Sequence, residues 1–220
     1  MKSNPLVSLL LVTMTSVFCF GQADIPKREI GIIAGFSATT YSGVGGSTLA
    51  NHVSIGIYGR FKLAERFSID PRILFPYGTG ARGLNLPAPA VYSGLGLKTD
   101  DVERRTTSIS IEAPVSYYIT NRFSVNVGPQ FMVTTGSKDF YKSSTGNDVL
   151  IVDSKYLMHQ FDAGVTMGIA FRRRLTLGLQ YYTGLMYVVK DDAFPAKNSI
   201  LQIRAEIPLR KLSSQKTDTE

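Results

Sequence analysis

Apolar and polar side chains alternate with a period of two along most of the chain from Glu29 onward. This is the period of a β-strand, in which successive side chains point to opposite faces. The alternation predicts eight strands of 11 to 13 residues each, and no long amphipathic helix accompanies them. The predicted strands are 29–39, 53–63, 67–77, 107–119, 123–135, 161–171, 175–187 and 199–209.

The lengths of the strands and of their connections favour a membrane barrel. Strands of soluble proteins most often have about 5–6 residues, whereas a tilted membrane-spanning strand needs about 9–11. Short and long connections alternate: they are residues 64–66, 120–122 and 172–174, and residues 40–52, 78–106, 136–160 and 188–198. Short turns at one end and long loops at the other are typical of bacterial outer-membrane barrels. The even strand number places both chain ends at the short-turn, periplasmic end.

The two faces of the predicted strands differ in charge. One face carries no charged residue in any strand, and Ile55, Ile57 and Phe61 are examples of it. The other face is rich in small residues, and its charges balance: they are Arg60, Lys62, Arg72 and Arg204, with Asp70, Glu112, Asp162 and Glu206. A soluble barrel such as a lipocalin would need a more densely charged exterior. We therefore predict an all-β, eight-stranded antiparallel up-and-down transmembrane barrel, with the apolar face against lipid.

The charges on the lumen face have two interpretations. As a plug, Arg60, Arg72 and Arg204 pair with the carboxylates and fill the interior, because buried charges must be paired. As a pore, the same charges line a narrow path. Eight strands enclose an interior just wide enough for side chains to fill, so we favour the plug.

Aromatic residues at both ends of the predicted strands support the membrane assignment. Transmembrane barrels carry an aromatic girdle at each membrane–water interface. The predicted belt residues are Phe61, Phe67, Tyr117, Phe123 and Phe171 beside the short turns, and Phe75, Tyr77, Phe131, Tyr181 and Tyr187 toward the long loops.

The first residues predict export from the cytoplasm. Lys2 precedes a mostly apolar stretch at 6–20, and small Gly21 follows it. This order is typical of a secretory signal peptide, and the stretch is too short for a transmembrane helix. Lipidation at Cys19 is the alternative, which Phe18 disfavours because a small residue normally precedes a lipidated cysteine. We expect a signal peptide at 1–22, a barrel domain at 23–212 and a short polar periplasmic tail at 213–220.

Composition and charge exclude several other classes of protein. With 44% hydrophobic and 19% charged residues, the average is unremarkable, because the alternation hides an apolar face behind a polar one. The net charge of +7 would suggest nucleic acid only if it were clustered on one face. The predicted lumen charges sum to zero, so the excess lies in turns, loops and the tail. We expect no nucleic-acid partner, and we expect the run 172–174, three arginines, to lie at the periplasmic surface near lipid headgroups.

The segment 111–131 contains a Glu-x-Pro strand, Glu112 to Pro114, then a short turn and a strand ending near Gly128 and Pro129. This arrangement resembles the PorT-like outer-membrane β-barrel family, and 161–185 is similar to the last hairpin of that family. The resemblance implies an outer-membrane location but no particular chemistry. It also implies the barrel-insertion machinery and periplasmic chaperones as partners during biogenesis. Such barrels usually end in an aromatic residue, whereas this sequence continues past Leu209 with a polar tail.

Candidate catalytic and metal-binding residues are few. His159 could form a hydrolase triad with Ser154 and Asp153, but the spacing matches no known motif. His52 is the other histidine, and two distant histidines do not make a metal site. Acidic residues at 100–103 could bind a divalent cation, but basic neighbours favour a solvated loop. We expect no cofactor, no metal and no enzymatic activity.

The favoured function is a structural or interaction role through the long extracellular loops. The expected partners are the lipids of the outer membrane and a protein partner at the loops. The first alternative, which the resemblance supports, is a component of an envelope secretion or assembly complex. The second is an outer-membrane enzyme that modifies lipids. The apolar, proline-containing stretch 84–92 is expected to be disordered or to pack against neighbouring loops, and the alternative is that it folds over the barrel mouth or meets a partner.

Overall fold

The structure is a computed structural model, and it describes residues 26–143, 149–191 and 194–212. The predicted signal peptide and the predicted tail from 213 lie outside these ranges. The described residues form eleven strands and two short 3-10 helices at Ala90–Leu95 and Lys155–Leu157. The strands are β1 Arg28–Ser42, β2 Ala50–Ala64, β3 Phe67–Ile69, β4 Arg72–Leu84, β5 Val102–Glu112, β6 Val115–Tyr118, β7 Phe123–Lys142, β8 Val149–Asp153, β9 Phe161–Arg172, β10 Thr176–Gly184 and β11 Lys197–Leu212.

The strands form a closed antiparallel ring with eight walls. Six walls are the single strands β1, β2, β7, β9, β10 and β11, and two are the pairs β3 with β4 and β5 with β6. The ring closes where β1 pairs with both β2 and β11. The eight-stranded up-and-down barrel predicted from the alternation is therefore confirmed. β8 is additional, and it pairs with the part of β7 that continues beyond the ring.

Proline interrupts the two divided walls. Pro71 separates β3 from β4, and Pro114 separates β5 from β6. Proline has no N–H to donate to a neighbouring strand, so it ends regular pairing. The backbone carbonyls of both prolines still accept hydrogen bonds, from Gly59 and Asp70 respectively, both at 2.9 Å. The predicted strands 67–77 and 107–119 are thus single walls made of two strands each.

The predicted loops 78–106 and 136–160 are wrong in part, because much of each is strand. β4 continues to Leu84, β5 begins at Val102, β7 continues to Lys142, and β8 occupies Val149–Asp153. The apolar–polar alternation fades there because the outward face of these extensions no longer has to be apolar; Lys138 and Lys142 of β7, for example, are exposed. The predicted strand 175–187 extends too far at its C-terminal end, since β10 ends at Gly184.

The apolar face of the barrel points outward and the polar face points into the lumen. Along β2, Val53 and Ile57 are more than half exposed, whereas Ser54 and Tyr58 between and after them are buried. This inverted arrangement suits a wall surrounded by lipid, since lipid solvates apolar side chains. Among the described residues, no helix has the length and apolar character needed to span a membrane.

Candidate functional site

The half of the lumen near the short turns contains a network of buried ion pairs, and Arg60 lies at its centre. The Arg60 guanidinium donates hydrogen bonds to Glu29 at 2.6 Å, to Glu206 at 2.8 Å and to Asp70 at 3.3 Å. These four side chains come from β1, β2, β11 and the break between β3 and β4. One residue therefore connects four walls of the ring.

Two further arginines extend the network across the lumen. Arg72 contacts Glu206 at 3.1 Å and Glu112 at 3.4 Å, and Arg204 contacts Glu112 at 3.2 Å. Asp70 also accepts hydrogen bonds at 2.7 Å from the hydroxyl groups of Ser68 and Ser116. Each of these charged side chains is at most 3% exposed. Full burial with several partners for each charge is the arrangement that offsets the loss of hydration.

Two members of this network were not among the predicted lumen charges. Glu29 accepts hydrogen bonds from Arg60, from the Tyr58 hydroxyl and from Arg172. Glu29 is at the edge of the first strand, and Arg172 is in a run that indicated only a basic turn. The alternation itself could have identified both residues, because Glu29 falls on a lumen-facing position of β1 and Arg172 on a lumen-facing position of β9. With them, four arginines face four carboxylates, so the network is electrically balanced.

Two predicted members lie apart from this network. Lys62 is exposed near the end of β2, although its register partner Ser68 is buried. Asp162 is buried, but it accepts a hydrogen bond from the Asn198 side-chain amide at 2.8 Å, and no ion pair reaches it within the described residues. The assignment of these two residues to the charge network is therefore wrong.

The middle of the lumen is filled by large side chains. They form one buried cluster: Ile33, Tyr58, Leu74, Tyr77, Met132, Tyr182 and Ile200. The assignment of Tyr77 to the aromatic belt near the long loops is wrong, because this ring is only 2% exposed and faces inward. A β-bulge between Leu74 and Tyr77 adds a residue to β4, so the parity of the inward positions is reversed from Tyr77 to Ala81, where a second register shift restores it.

A second polar cluster and an apolar layer close the lumen at the long-loop end. Arg104 binds both carboxylate oxygens of Asp139, at 2.6 Å each, and Ser154 donates to the same carboxylate at 2.9 Å. Above and around them lies a buried apolar cluster: Tyr41, Ala81, Leu84, Leu86, Val102, Tyr141, Met158, Val188, Val189 and Ala196. The prediction missed this layer because its residues come from segments assigned to loops, where no periodic signal identifies an inward face.

The aromatic residues predicted for the two belts lie mostly on the outer surface. Phe61, Phe67, Phe171, Phe75, Phe131, Tyr181 and Tyr187 are exposed, and Tyr117 and Phe123 are half-buried. Phe67 and Tyr117 pack together with ring centroids 5.1 Å apart. Tyr187 lies beyond the end of β10, where Lys197 approaches its ring at 5.0 Å.

The residues considered for catalysis do not assemble as a triad. The Ser154 hydroxyl is buried and donates to Asp139 rather than to a histidine. His159 is exposed, and Asp153 accepts the Lys155 backbone N–H at 2.9 Å.

The acidic stretch considered for a divalent cation is occupied by other contacts. Glu103 pairs with Arg105 at 2.7 Å and with Arg82 at 3.2 Å, and Asp101 pairs with Lys142 at 2.6 Å. In the part of the chain that the structure describes, no cluster of three His, Cys, Asp or Glu residues is arranged to hold a metal ion.

A closed ring of eight antiparallel walls, apolar outside and filled with polar side chains inside, defines a small transmembrane β-barrel. Residues 20–189 match the family described as outer membrane protein beta-barrel domain, and the chain belongs to this family. Membership indicates a location in the bacterial outer membrane. A comparison with curated proteins finds no significant match.

Solved structures of small outer-membrane proteins are similar to this chain. Ail, the attachment invasion locus protein of Yersinia pestis, has 12% identity and a TM-score of 0.44, with 83% of this chain and 98% of Ail covered. Neisserial surface protein A has the same identity and TM-score, with 81% and 96% covered. OprG from Pseudomonas aeruginosa has 12% identity and a TM-score of 0.32, with 83% and 95% covered.

Proposed function

We propose that this protein is a closed, non-conducting barrel of the outer membrane that acts through its extracellular surface. The observation that carries the proposal is the buried network of Arg60, Arg72 and Arg204 with its carboxylate partners. Because this network connects walls from opposite sides of the ring, it functions as a plug in the periplasmic half of the lumen. The extracellular half is plugged by the apolar cluster that surrounds Arg104.

The extracellular surface supports an interaction role. The sheet of β4, β5, β7 and β8 rises beyond the outer aromatic belt, and Val149 and Ile151 of β8 are each at least half exposed. Within the described residues, β8 pairs only with β7, so its other edge has free backbone groups that can pair with an added strand. A crevice of about 550 Å³ lies nearby, lined by Lys155, Tyr156 and Lys190 among others.

Electrical recording in a planar bilayer tests the plug. The wild-type barrel, inserted at known density, is expected to give no discrete conductance steps. A variant that removes both central guanidinium groups, Arg60→Ala with Arg72→Ala, is expected to raise the frequency of brief openings. Steady wild-type conductance, scaling with the number of inserted barrels, would contradict the proposal.

A role in a secretion or assembly complex, as in PorT-like proteins, is the second candidate. Its support is the Glu-x-Pro motif, whose residues have structural tasks here: Glu112 binds two arginines, and Gly128 leaves room for the backbone of Pro114. These contacts support the type of barrel more strongly than a shared activity. Chemical crosslinking of intact envelopes followed by purification tests the role. A partner recovered in fixed stoichiometry supports it, and recovery of the barrel alone counts against it.

We propose no catalytic role, because the Ser154 hydroxyl is engaged by Asp139 and His159 is exposed. The test is the lipid profile of outer membranes from cells that carry the His159→Ala variant. An unchanged profile is expected, and a changed one would revive the lipid-modifying enzyme.

A further inference from the structure

Basic side chains surround the periplasmic rim of the barrel. They come from the start of β1, from the end of β2, from all three short turns and from the end of β11. All are exposed except Arg66, which is half-buried. We call this set the basic collar: Lys27, Arg28, Lys62, Arg66, Arg122, Arg173, Arg174 and Arg210.

Almost no exposed carboxylate lies near the collar to neutralise its positive charge. Of the carboxylates that the structure places at this end, Glu29, Asp70 and Glu206 are buried in the lumen network, and only Glu65 is exposed. No collar side chain forms an ion pair within the described residues. The extracellular end is different, because its exposed Arg105 and Lys142 pair with Glu103 and Asp101. Exposed Lys98, Lys138, Lys155 and Lys190 at that end also lie among the exposed carboxylates Asp100, Asp153 and Asp191. The excess of positive over negative exposed charge is thus larger at the collar end of the barrel.

The collar lies at the same membrane depth as the aromatic belt beside the short turns. Arg66 directly precedes Phe67, and Arg122 directly precedes Phe123. Arg28 is the register partner of Phe61 on the neighbouring strand. Aromatic side chains of a barrel mark the level of the lipid headgroups. The guanidinium groups next to them therefore reach the same level, where lipid phosphates are found.

From this juxtaposition we infer that the basic collar binds the anionic headgroups of phospholipids in the periplasmic leaflet. A basic residue near an anionic lipid surface gains a favourable electrostatic energy, and such gains accumulate over a cluster. The collar extends around the whole rim rather than forming one patch. Lipid surrounds the barrel on every side, whereas a folded protein partner would contact one sector of it. This distribution favours lipid over an acidic periplasmic protein.

Spin-labelled lipids provide the test, because electron paramagnetic resonance measures how strongly each lipid associates with a reconstituted barrel. The barrel is refolded into phosphatidylcholine vesicles that carry a trace of labelled phosphatidylglycerol or of labelled phosphatidylcholine. For the wild type we expect an association constant about twofold or more higher for phosphatidylglycerol. At about 1 M salt the Debye length falls to about 3 Å, so the preference should nearly disappear.

Two variants with four substitutions each assign the preference to the collar. The collar variant combines Arg66→Gln, Arg122→Gln, Arg173→Gln and Arg174→Gln, and we expect it to lose most of the preference. The matched control removes four exposed cations from the other end, with Lys98→Gln, Lys138→Gln, Lys155→Gln and Lys190→Gln, and should retain it. The β-sheet circular dichroism spectrum establishes that each variant is folded before the lipid measurement. A collar variant that does not refold is replaced by its single substitutions, whose losses of preference should add up.

Three results would overturn the inference. The first is a wild-type barrel that associates equally with the two lipids. The second is a control variant that loses as much preference as the collar variant. The third is a photo-crosslinking residue at position 173 that captures a polypeptide and no phospholipid in living cells, which would assign the collar to a protein partner. None of these results bears on the closed lumen, so the inference and the proposed function can fail separately.

Discussion

Arg60 connects four walls of the barrel interior, since its guanidinium meets the carboxylates of Glu29, Asp70 and Glu206. The three carboxylates converge on one positive group that is only 3% exposed. Removing it would leave negative charges facing one another in a site with little water. The cost of such a change is set by the groups that remain, rather than by the contact that is lost.

We predict that Arg60→Ala lowers the free energy of unfolding by about 3 kcal/mol or more, the cost typical of breaking a buried ion pair. Urea unfolding of the barrel in lipid vesicles, followed by circular dichroism, measures the change. The control is Lys62→Ala, which removes an exposed cation two residues away and should shift the midpoint little. Equal effects of the two substitutions would show that the buried network contributes nothing to stability.

Asp162 and Asp139 are both buried carboxylates, but their surroundings are opposite. Asp139 faces Arg104 in a two-point contact, whereas Asp162 is bonded to the neutral amide of Asn198. A buried charge without an opposite charge is costly.

We therefore predict that replacing aspartate by asparagine affects stability differently at these two sites. Asp162→Asn should leave stability unchanged or raise it by about 1 kcal/mol, since it removes a lone buried charge and keeps an acceptor for Asn198. Asp139→Asn should lower stability by about 3 kcal/mol, because it leaves Arg104 buried and unpaired. The urea unfolding midpoints of the two variants, each compared with that of the wild type, measure both changes in stability. Destabilisation by both would indicate that Asp162 has a charged partner.

At the scale of elements, the junction of β5 and β6 depends on one close contact. A side chain on Gly128 of β7 would begin only 2.4 Å from the Cα of Pro114. Because this neighbour is backbone, it cannot move aside without shifting the strand that carries it. Gly136, on the same strand, has open space at the corresponding position.

We predict that Gly128→Ala destabilises the barrel by about 1–3 kcal/mol, the usual cost of overpacking a tight site. Gly136→Ala should change stability by less than about 1 kcal/mol, and it serves as the control for glycine replacement in a strand. The readout is the fraction of folded barrel over a urea series, seen as the faster band on unheated gels. A harmless Gly128→Ala would argue against close packing at this junction.

The elements also show where sequence patterns suffice and where they fail. In the lipid-facing segments, such as 53–61, each side chain meets either lipid or the lumen, so alternation identifies both the strand and its inward residues. Arg60, Arg72, Glu112 and Arg204 were found in this way. The pattern fails at the Leu74–Tyr77 bulge, where one extra residue reverses parity, and in the extension 134–142, where lipid no longer imposes an apolar face. The pairings themselves depend on register and on long side chains, which periodicity does not encode.

The whole molecule has two ends of different construction. The short-turn end carries the basic collar, the start of β1 and the end of β11. The other end carries the β7–β8 hairpin and the helix Ala90–Leu95. Val91 in this helix is 88% exposed, and Arg173 is exposed in a short turn. Family membership and the short-turn rule together assign the two ends to opposite sides of the outer membrane.

Labelling of single cysteines tests this orientation, and the sequence suits it because Cys19 is its one cysteine. A maleimide that cannot cross membranes should label Val91→Cys on intact cells. It should label Arg173→Cys only after the outer membrane has been permeabilised. The parent chain reports any background from Cys19. The reverse pattern would mean that the barrel is inserted the other way up.

The pairing of β1 with β11 joins Arg28 to Leu212, so neighbours in the wall are almost the full length of the barrel apart in the chain. Contacts between such distant residues form slowly, because a long loop must be closed before any hydrogen bond rewards it. Until that seam is made, both strands have open edges that can pair with other chains. The polypeptide is therefore most prone to aggregation just before its final strand is placed.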